Sequence, residues 1–214
     1  CQLGWSYLGI ADHSRSAAYA RGLAPEQVRQ QWEEIAAWQQ RSPGFRLFRG
    51  TECDVLAGGE LDFDDELLFG FDFVVASIHS RFSLTRTAMT ERLVRAVSHP
   101  AVTFLGHPTG RLLLAREGYD VDLDAVLDAA FAHGVVVEVN ANPHRLDLDW
   151  RALRGWLRRG GLTAVNPDAH STGGLADASA QGRGTRGPRE VSWEGRGGAR
   201  GMWCSLAPLA RLGE

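Results

Sequence analysis

Short apolar segments alternate with longer amphipathic ones through the first 175 residues of the chain. The short segments have the length and the residue types of strands, and they span 7–11, 46–52, 71–78, 102–106, 135–140 and 162–166. Between them, apolar residues at helical spacing predict helices over 25–40, 87–98, 123–133 and 150–159. Strands that alternate with helices predict a parallel α/β domain over residues 1–175.

The pattern changes after this domain. Residues 177–202 are rich in glycine and arginine, and their apolar residues have no period. We therefore predict an irregular tail over 176–214, for which two explanations remain open. One is a genuine disordered tail. The other is out-of-frame reading of GC-rich DNA until about residue 203, after which SLAPLARL again has the spacing of a helix.

Composition narrows the classes of function. Of the 214 residues, 44% are hydrophobic and 23% charged, which is ordinary for a protein with a core. Lysine is absent, and this excludes a Walker-type phosphate loop and a Schiff-base lysine. A net charge of −3 favours carboxylates that hold cations over broad coating of nucleic acid. Because no long apolar run, signal peptide or paired cysteine motif is visible, we expect no membrane span and a cytoplasmic location.

Polar side chains with metal-binding chemistry follow the ends of the predicted strands. In a parallel barrel the carboxyl ends of the strands form one face, where active sites lie. Imidazole and carboxylate groups there suit Zn²⁺, Mn²⁺ or Fe²⁺, and such ions promote displacement at phosphorus. The residues expected to converge are His13, Glu52, His79, His107, Asp168 and His170.

Several neighbouring residues keep more than one interpretation. Asp12 either binds a metal or orients His13. His144 is a ligand, a substrate contact or a bystander in a loop on the same face. His99 and His133 lie at helix ends and are expected to be surface groups. Cys53 is expected to pack in the core, because it alternates with Glu52 along a strand.

Arginines also follow the predicted strands. The planar guanidinium group binds phosphate through paired hydrogen bonds. A structural ion pair is an equally open interpretation for any single one of them. The candidate phosphate contacts are Arg15, Arg81, Arg111, Arg145 and the imidazole of His144.

The strings around these residues resemble the PHP (polymerase and histidinol phosphatase) family, and within it the C-terminal domain of family X DNA polymerases. The resemblance covers about residues 3–175 and rests on LGIADHSRSAAYARGL, VVASIHSRF, LGHPTGRLL, VEVNANPHRLDL and NPDAHSTGGL in that order. It implies an α/β fold, a distorted TIM-like (β/α)7 barrel. The H-x-H strand with which the family begins is absent here, so the resemblance also implies a domain that lacks its first strand.

The resemblance further implies a site of up to three Mn²⁺ or Zn²⁺ ions. Glu52, His79 and His107 would hold one ion, His13 and His170 another, and Glu52 with Asp168 the third. Glu52, His79 and Asp168 would be catalytic. The implied activity is 3′–5′ exonuclease and phosphoesterase action on DNA ends, beside an upstream polymerase domain. A phosphatase of the histidinol-phosphate type and a non-catalytic scaffold remain the alternatives.

Overall fold

The computed structural model shows a protein built around one parallel sheet. The structure describes residues 7–170 and the two short segments 193–194 and 200–201. The six strands of the sheet follow the order of the chain and curl into a half-barrel. They are β1 (Tyr7–His13), β2 (Arg46–Asp54), β3 (Phe73–Ser77), β4 (Phe104–Leu105), β5 (Val136–Asn140) and β6 (Thr163–Asn166). All six predicted strands are confirmed, although β4 is only two residues long. The seven-stranded barrel and its missing first strand remain expectations.

Helices connect successive strands and cover one face of the sheet. They are α1 (Pro25–Arg41), α2 (Asp65–Leu68), α3 (Arg86–Val97), α4 (Leu123–Ala132) and α5 (Trp150–Arg158). Their starts follow from local chemistry, because the side chains of Thr85, Asp122 and Asp149 accept backbone N–H bonds ahead of α3, α4 and α5. The four predicted helices are confirmed. The short α2 and a 3₁₀ turn at Ala18–Ala20 were not predicted.

The two faces of the sheet have different cores. On the outer face, strand residues such as Val74 and Leu105 pack with Leu93 of α3, Leu127 of α4 and Trp156 of α5. Cys53 lies in this cluster, fully buried, as its alternation with Glu52 predicts. On the inner face a second cluster lies toward the amino ends of the strands, formed by Phe48, Phe73, Val75, Phe104 and Ala164.

The inner cluster leaves no room for a side chain at Gly50 of β2. A Cβ atom built there would lie 1.7 Å from the ring of Phe73 in the neighbouring strand. Glycine is therefore needed at this position to make room for the ring of Phe73.

Arg92 of α3 is buried on the outer side of the half-barrel, with 1% of its surface exposed. Its guanidinium group donates to the carbonyl oxygens of Leu56 at 2.8 Å and Ser80 at 3.0 Å, and also to that of Val55. The side chain thus ties the loop after β2 to the loop after β3. Burial lowers the pKa of Arg92 from its ordinary value.

The region after residue 170 is described only in part. Trp193–Glu194 and Arg200–Gly201 pair as a short antiparallel ribbon. The remainder of the predicted tail, including 205–212, lies outside the described residues, as do residues 1–6. Within the described part of the chain, no helix combines the length and the apolar character needed to cross a bilayer.

Candidate metal centre

Four of the predicted ligands lie where strands β1 to β4 end. His13 is the last residue of β1 and is the register partner of Glu52 in β2. His79 follows β3 by two residues, and His107 follows β4 by two residues. All four side chains are buried, with at most 11% exposed. Parallel pairing brings these strand ends to one edge of the sheet, so the residues meet although they are far apart in sequence.

The imidazoles converge on one carboxylate. The Nε2 atoms of His79 and His107 lie 3.2 Å and 2.9 Å from Glu52 Oε1. The Nε2 atom of His13 lies 3.5 Å from Glu52 Oε2. Ligand atoms of His13, Glu52 and His79 all lie within 4.8 Å of one another. Such a cluster of imidazole nitrogens around a carboxylate is a donor set that a divalent cation can share.

The end of β6 completes the cluster. The Nε2 atoms of His13 and His170 face each other at 3.2 Å. The carboxylate of Asp168 accepts from Arg145 Nε at 3.1 Å and from Asn140 Nδ2 at 3.0 Å. The structure therefore brings all six predicted metal ligands to the same end of the half-barrel. Their assignment to individual ions stays a prediction.

Electrostatics in the cluster favour an ionised Glu52. Burial opposes ionisation of Glu52, but hydrogen bonds from His107 and His79 hold its pKa well below the ordinary value. Burial likewise opposes the charge on His79, yet hydrogen bonds to Asp54 and Glu52 raise its pKa to about 9. The same opposition acts on His107, where the Glu52 carboxylate raises the pKa. An ionised Glu52 is thus favoured beside two imidazoles, His79 and His107, whose pKa values it helps to raise.

The residues fit a bound cation. Ring nitrogens of His13 and His170 point at each other, and two lone pairs so placed repel unless a proton or a cation lies between them. His13 Nδ1 and His107 Nδ1 are buried and have no hydrogen-bond partner within residues 7–170. A cavity of about 380 Å³ opens beside these rings, lined by His13, Glu52, His107, Asp168 and His170 among others. The mixed imidazole and carboxylate set suits Zn²⁺ or Mn²⁺.

Known proteins are similar to this chain in sequence. DNA polymerase/3′-5′ exonuclease PolX of Bacillus subtilis is 39% identical over 174 residues, which is 81% of this chain and 30% of PolX. Probable phosphatases of Caldicellulosiruptor saccharolyticus and Photobacterium profundum are 31% and 32% identical over 100 residues, 45% of this chain. The chain holds a PHP domain related to the C-terminal region of family X polymerases.

The chain spans less than half the length of each of these relatives, 30% of PolX and 39% and 38% of the two phosphatases. A search against models of protein families gave no match. The relationship therefore rests on the sequence similarity to PolX and the phosphatases.

Asp54 is a site residue of this PHP domain that sequence reasoning missed. It is the last residue of β2, two positions after Glu52, and its carboxylate accepts a hydrogen bond from His79 Nδ1. A carboxylate on the far nitrogen of a metal-binding histidine orients the ring and raises its basicity. The signal was in the sequence, because a strand places residues two apart on the same face.

Glu138 of β5 is a second missed residue. It is buried on the inner face, where its carboxylate accepts the backbone N–H of His107 at 2.7 Å and Asn166 Nδ2 at 3.0 Å. Burial raises the pKa of Glu138 to about 7. The bond to His107 holds a backbone with φ of 24°, a left-handed value that is strained for histidine. The predicted strand VVVEVN contained this acid, but its apolar neighbours concealed its role.

The predicted phosphate contacts differ in their surroundings. Arg15 and Arg81 are exposed, and Arg15 pairs with Asp62 at 3.4 Å. Arg145 lies against Asp168 in the site. Arg111 donates to the carbonyl oxygens of Arg145 and Leu146 and pairs with Asp149, so it supports the loop that carries Arg145.

His144 is exposed in the same loop, and its backbone carbonyl accepts from Leu113 N–H at 2.7 Å. Its side-chain role, like the phosphate contacts of the arginines, stays a prediction. Asp12 points away from the cluster, and its carboxylate accepts from Gln31 Nε2 of α1 at 2.5 Å.

Proposed function

We propose that this PHP domain is a metal-dependent phosphoesterase that hydrolyses phosphodiesters at DNA ends in the 3′–5′ direction. The observation that carries the proposal is the convergence of three imidazoles on the carboxylate of Glu52. The likeness to PolX, whose name includes a 3′-5′ exonuclease, supports DNA as the substrate. The proposal includes a polymerase domain as partner in a longer chain.

The side chains of the cluster define how the site would work. Glu52, His79 and His107 would hold one cation, His13 and His170 a second, and Asp168 with Glu52 a third. Bound Mn²⁺ or Zn²⁺ would supply a polarised phosphoryl oxygen and a water of lowered pKa. Asp54 keeps the Nε2 atom of His79 directed at the site, because it binds the opposite ring nitrogen.

Positively charged groups at the rim would orient the substrate. Arg145 lies beside Asp168, with 18% of its side chain exposed, so it can present its remaining N–H groups to a phosphate. Arg15 and Arg81 are exposed on loops after β1 and β3. They would contact phosphates of the DNA strand that lie further from the reacting bond. Arg111 would act through the loop that holds Arg145 and His144.

Hydrolysis by the full chain with Mn²⁺ tests the proposal, with a 3′-recessed DNA duplex and histidinol phosphate as parallel substrates. We expect release of 3′-terminal nucleotides by the wild type and loss of that release in Glu52→Gln, because this carboxylate contacts three imidazoles. Glu66→Gln is the matched control, since Glu66 is an exposed acid on α2. Turnover of histidinol phosphate alone would refute DNA as the substrate.

A small-molecule phosphatase is the second candidate. It is favoured by the relatives named as probable phosphatases, which align with 100 residues of this chain. The same experiment separates the two candidates by substrate. A non-catalytic scaffold would bind no Mn²⁺ or Zn²⁺ at micromolar concentration, and the buried donors His13, Glu52 and His107 argue against it.

A further inference from the structure

Tyr19 lies beside the metal centre and takes no part in it. It is the middle residue of the 3₁₀ turn that follows β1. Its ring centroid lies 6.0 Å from that of His13 and 6.1 Å from that of His79. Even so, 70% of the residue is exposed, the largest fraction for any aromatic side chain in the described part of the chain. An exposed aromatic ring next to buried ligands needs an explanation, because nothing in the fold requires it there.

The turn that carries Tyr19 is fixed on both sides. The fully buried Ala17 donates its N–H to Ser14 O at 3.1 Å and accepts from Ala20 N–H at 2.9 Å. Leu23 N–H then returns to His13 O at 2.8 Å. Gly22 permits this return, since a Cβ atom there would lie 1.8 Å from Ser14 O. The backbone under Tyr19 is therefore anchored to the same strand end as the metal ligand His13.

The orientation of the ring leaves its face available. The planes of Tyr19 and the two imidazoles meet at 59° and 61°, so neither imidazole stacks flat on the tyrosine. Exposed arginines lie on either side of it in the chain, Arg15 before and Arg21 after. Proteins that bind single-stranded nucleic acid combine exposed aromatic rings, on which the bases stack, with cationic side chains that contact the phosphates.

We propose that Tyr19 is the stacking subsite for the nucleobase of the nucleotide whose phosphodiester bond lies at the metal centre. This inference rests on the proposed DNA-end phosphoesterase function and adds to it a contact with the base. Stacking on an aromatic ring tolerates every base, because each base has a π face. The subsite would thus select nucleotides over small phosphate esters without selecting a sequence.

The test compares two DNA duplexes that differ only at the 3′-terminal residue, one with a base and one with an abasic tetrahydrofuran residue. The full chain is assayed with Mn²⁺ as wild type, Tyr19→Leu and Tyr19→Phe. For the duplex with the base we expect Tyr19→Leu to lower kcat/KM about 5- to 150-fold, the loss typical of one stacked base. Tyr19→Phe should stay within about twofold of the wild type, because the ring is kept.

The abasic duplex is the decisive substrate. Tyr19→Leu and the wild type should hydrolyse the abasic duplex at the same rate. That rate should be as low as the rate at which Tyr19→Leu hydrolyses the duplex with the terminal base. Phe69→Leu is the matched control, since Phe69 is 52% exposed and packs beside His99, which lies apart from the cluster. Equal losses of Tyr19→Leu on both duplexes, or no loss on either, would overturn the subsite alone. Failure of the wild type to cleave any DNA end would overturn the proposed function and the subsite together.

Discussion

Asp54 offers the sharpest test of how the PHP domain orients its proposed metal ligands. Its side chain is buried and accepts the Nδ1–H of His79, whose Nε2 atom points at Glu52. Replacement by asparagine keeps the size of the side chain and an oxygen able to accept that hydrogen bond. The negative charge is lost, so the change acts on the basicity of the imidazole more than on its position.

The magnitude follows from the role of the carboxylate. Hydrogen bonds from His79 to Asp54 and Glu52 outweigh burial and raise the pKa of His79 to about 9. Without the Asp54 charge the imidazole is a weaker base and a weaker ligand. Loss of such a supporting carboxylate costs about 10- to 100-fold in metal affinity, or about 1.4 to 2.7 kcal/mol. We expect Asp54→Asn to weaken Mn²⁺ and Zn²⁺ binding within this range.

Isothermal titration calorimetry of the full chain at a fixed pH measures the affinity. Asp62→Asn is the matched control, because Asp62 has the same exposure as Asp54, 4%, and binds Ser16 and Arg15 instead of a histidine. The control should bind metal within about twofold of the wild type. If folded Asp54→Asn binds the metal ions as tightly as the control does, the Asp54 carboxylate does not raise the basicity of His79, and the reasoning is refuted.

Three further changes test the fold. Arg92→Met leaves three backbone carbonyls without their donor, so we expect the free energy of unfolding, measured in urea, to fall by about 3 kcal/mol. Arg95→Met is the control, because Arg95 is exposed, and it should lower the free energy of unfolding by less than about 1 kcal/mol. Gly50→Ala should lower the free energy of unfolding by about 1 to 3 kcal/mol, because the new Cβ would lie 1.7 Å from an aromatic ring. Gly155→Ala is the control: its Cβ would meet nothing within 4 Å, and the change should stabilise α5 by up to about 1 kcal/mol. In EDTA, His79 stabilises the fold while it holds its proton, so urea midpoints should fall as the pH rises from about 6.5 to 9. A flat profile over this range would contradict the raised pKa.

The sequence predicted the strands of this domain well because each combines apolar residues with a polar end. The exception is β4, where a segment expected over 102–106 forms only two paired residues. The left-handed backbone at His107, with φ of 24°, turns the chain out of the sheet just after that point. Hydrophobic pattern predicts where a strand lies, but the position at which pairing stops depends on the neighbouring strands.

The gathering of polar residues at the strand ends was predictable, whereas the residues that support them were predictable only in part. Asp54 lies two positions after Glu52 in β2, so strand alternation alone places it on the same face. Glu138 lies within an apolar strand, and only the pairing of the strands shows that its face is shared with the histidines. Arg111 and Arg145 both follow predicted strands and were both expected to contact phosphate, yet they have different partners. The former binds backbone carbonyls and Asp149, and the latter binds Asp168. These pairings depend on loop conformation, which local sequence does not specify.

On the inner face of the half-barrel, the apolar residues that stabilise the fold and the polar residues of the site lie at opposite ends of the strands. Phe48 and Phe73 lie toward the amino ends of β2 and β3, whereas Glu52 and Asp54 lie at the carboxyl end of β2 on the same face. Apolar contacts at one end can therefore be changed without moving the donors at the other, provided the strand register is kept. It follows that Gly50→Ala should alter the unfolding free energy more than the metal affinity, and Asp54→Asn the reverse.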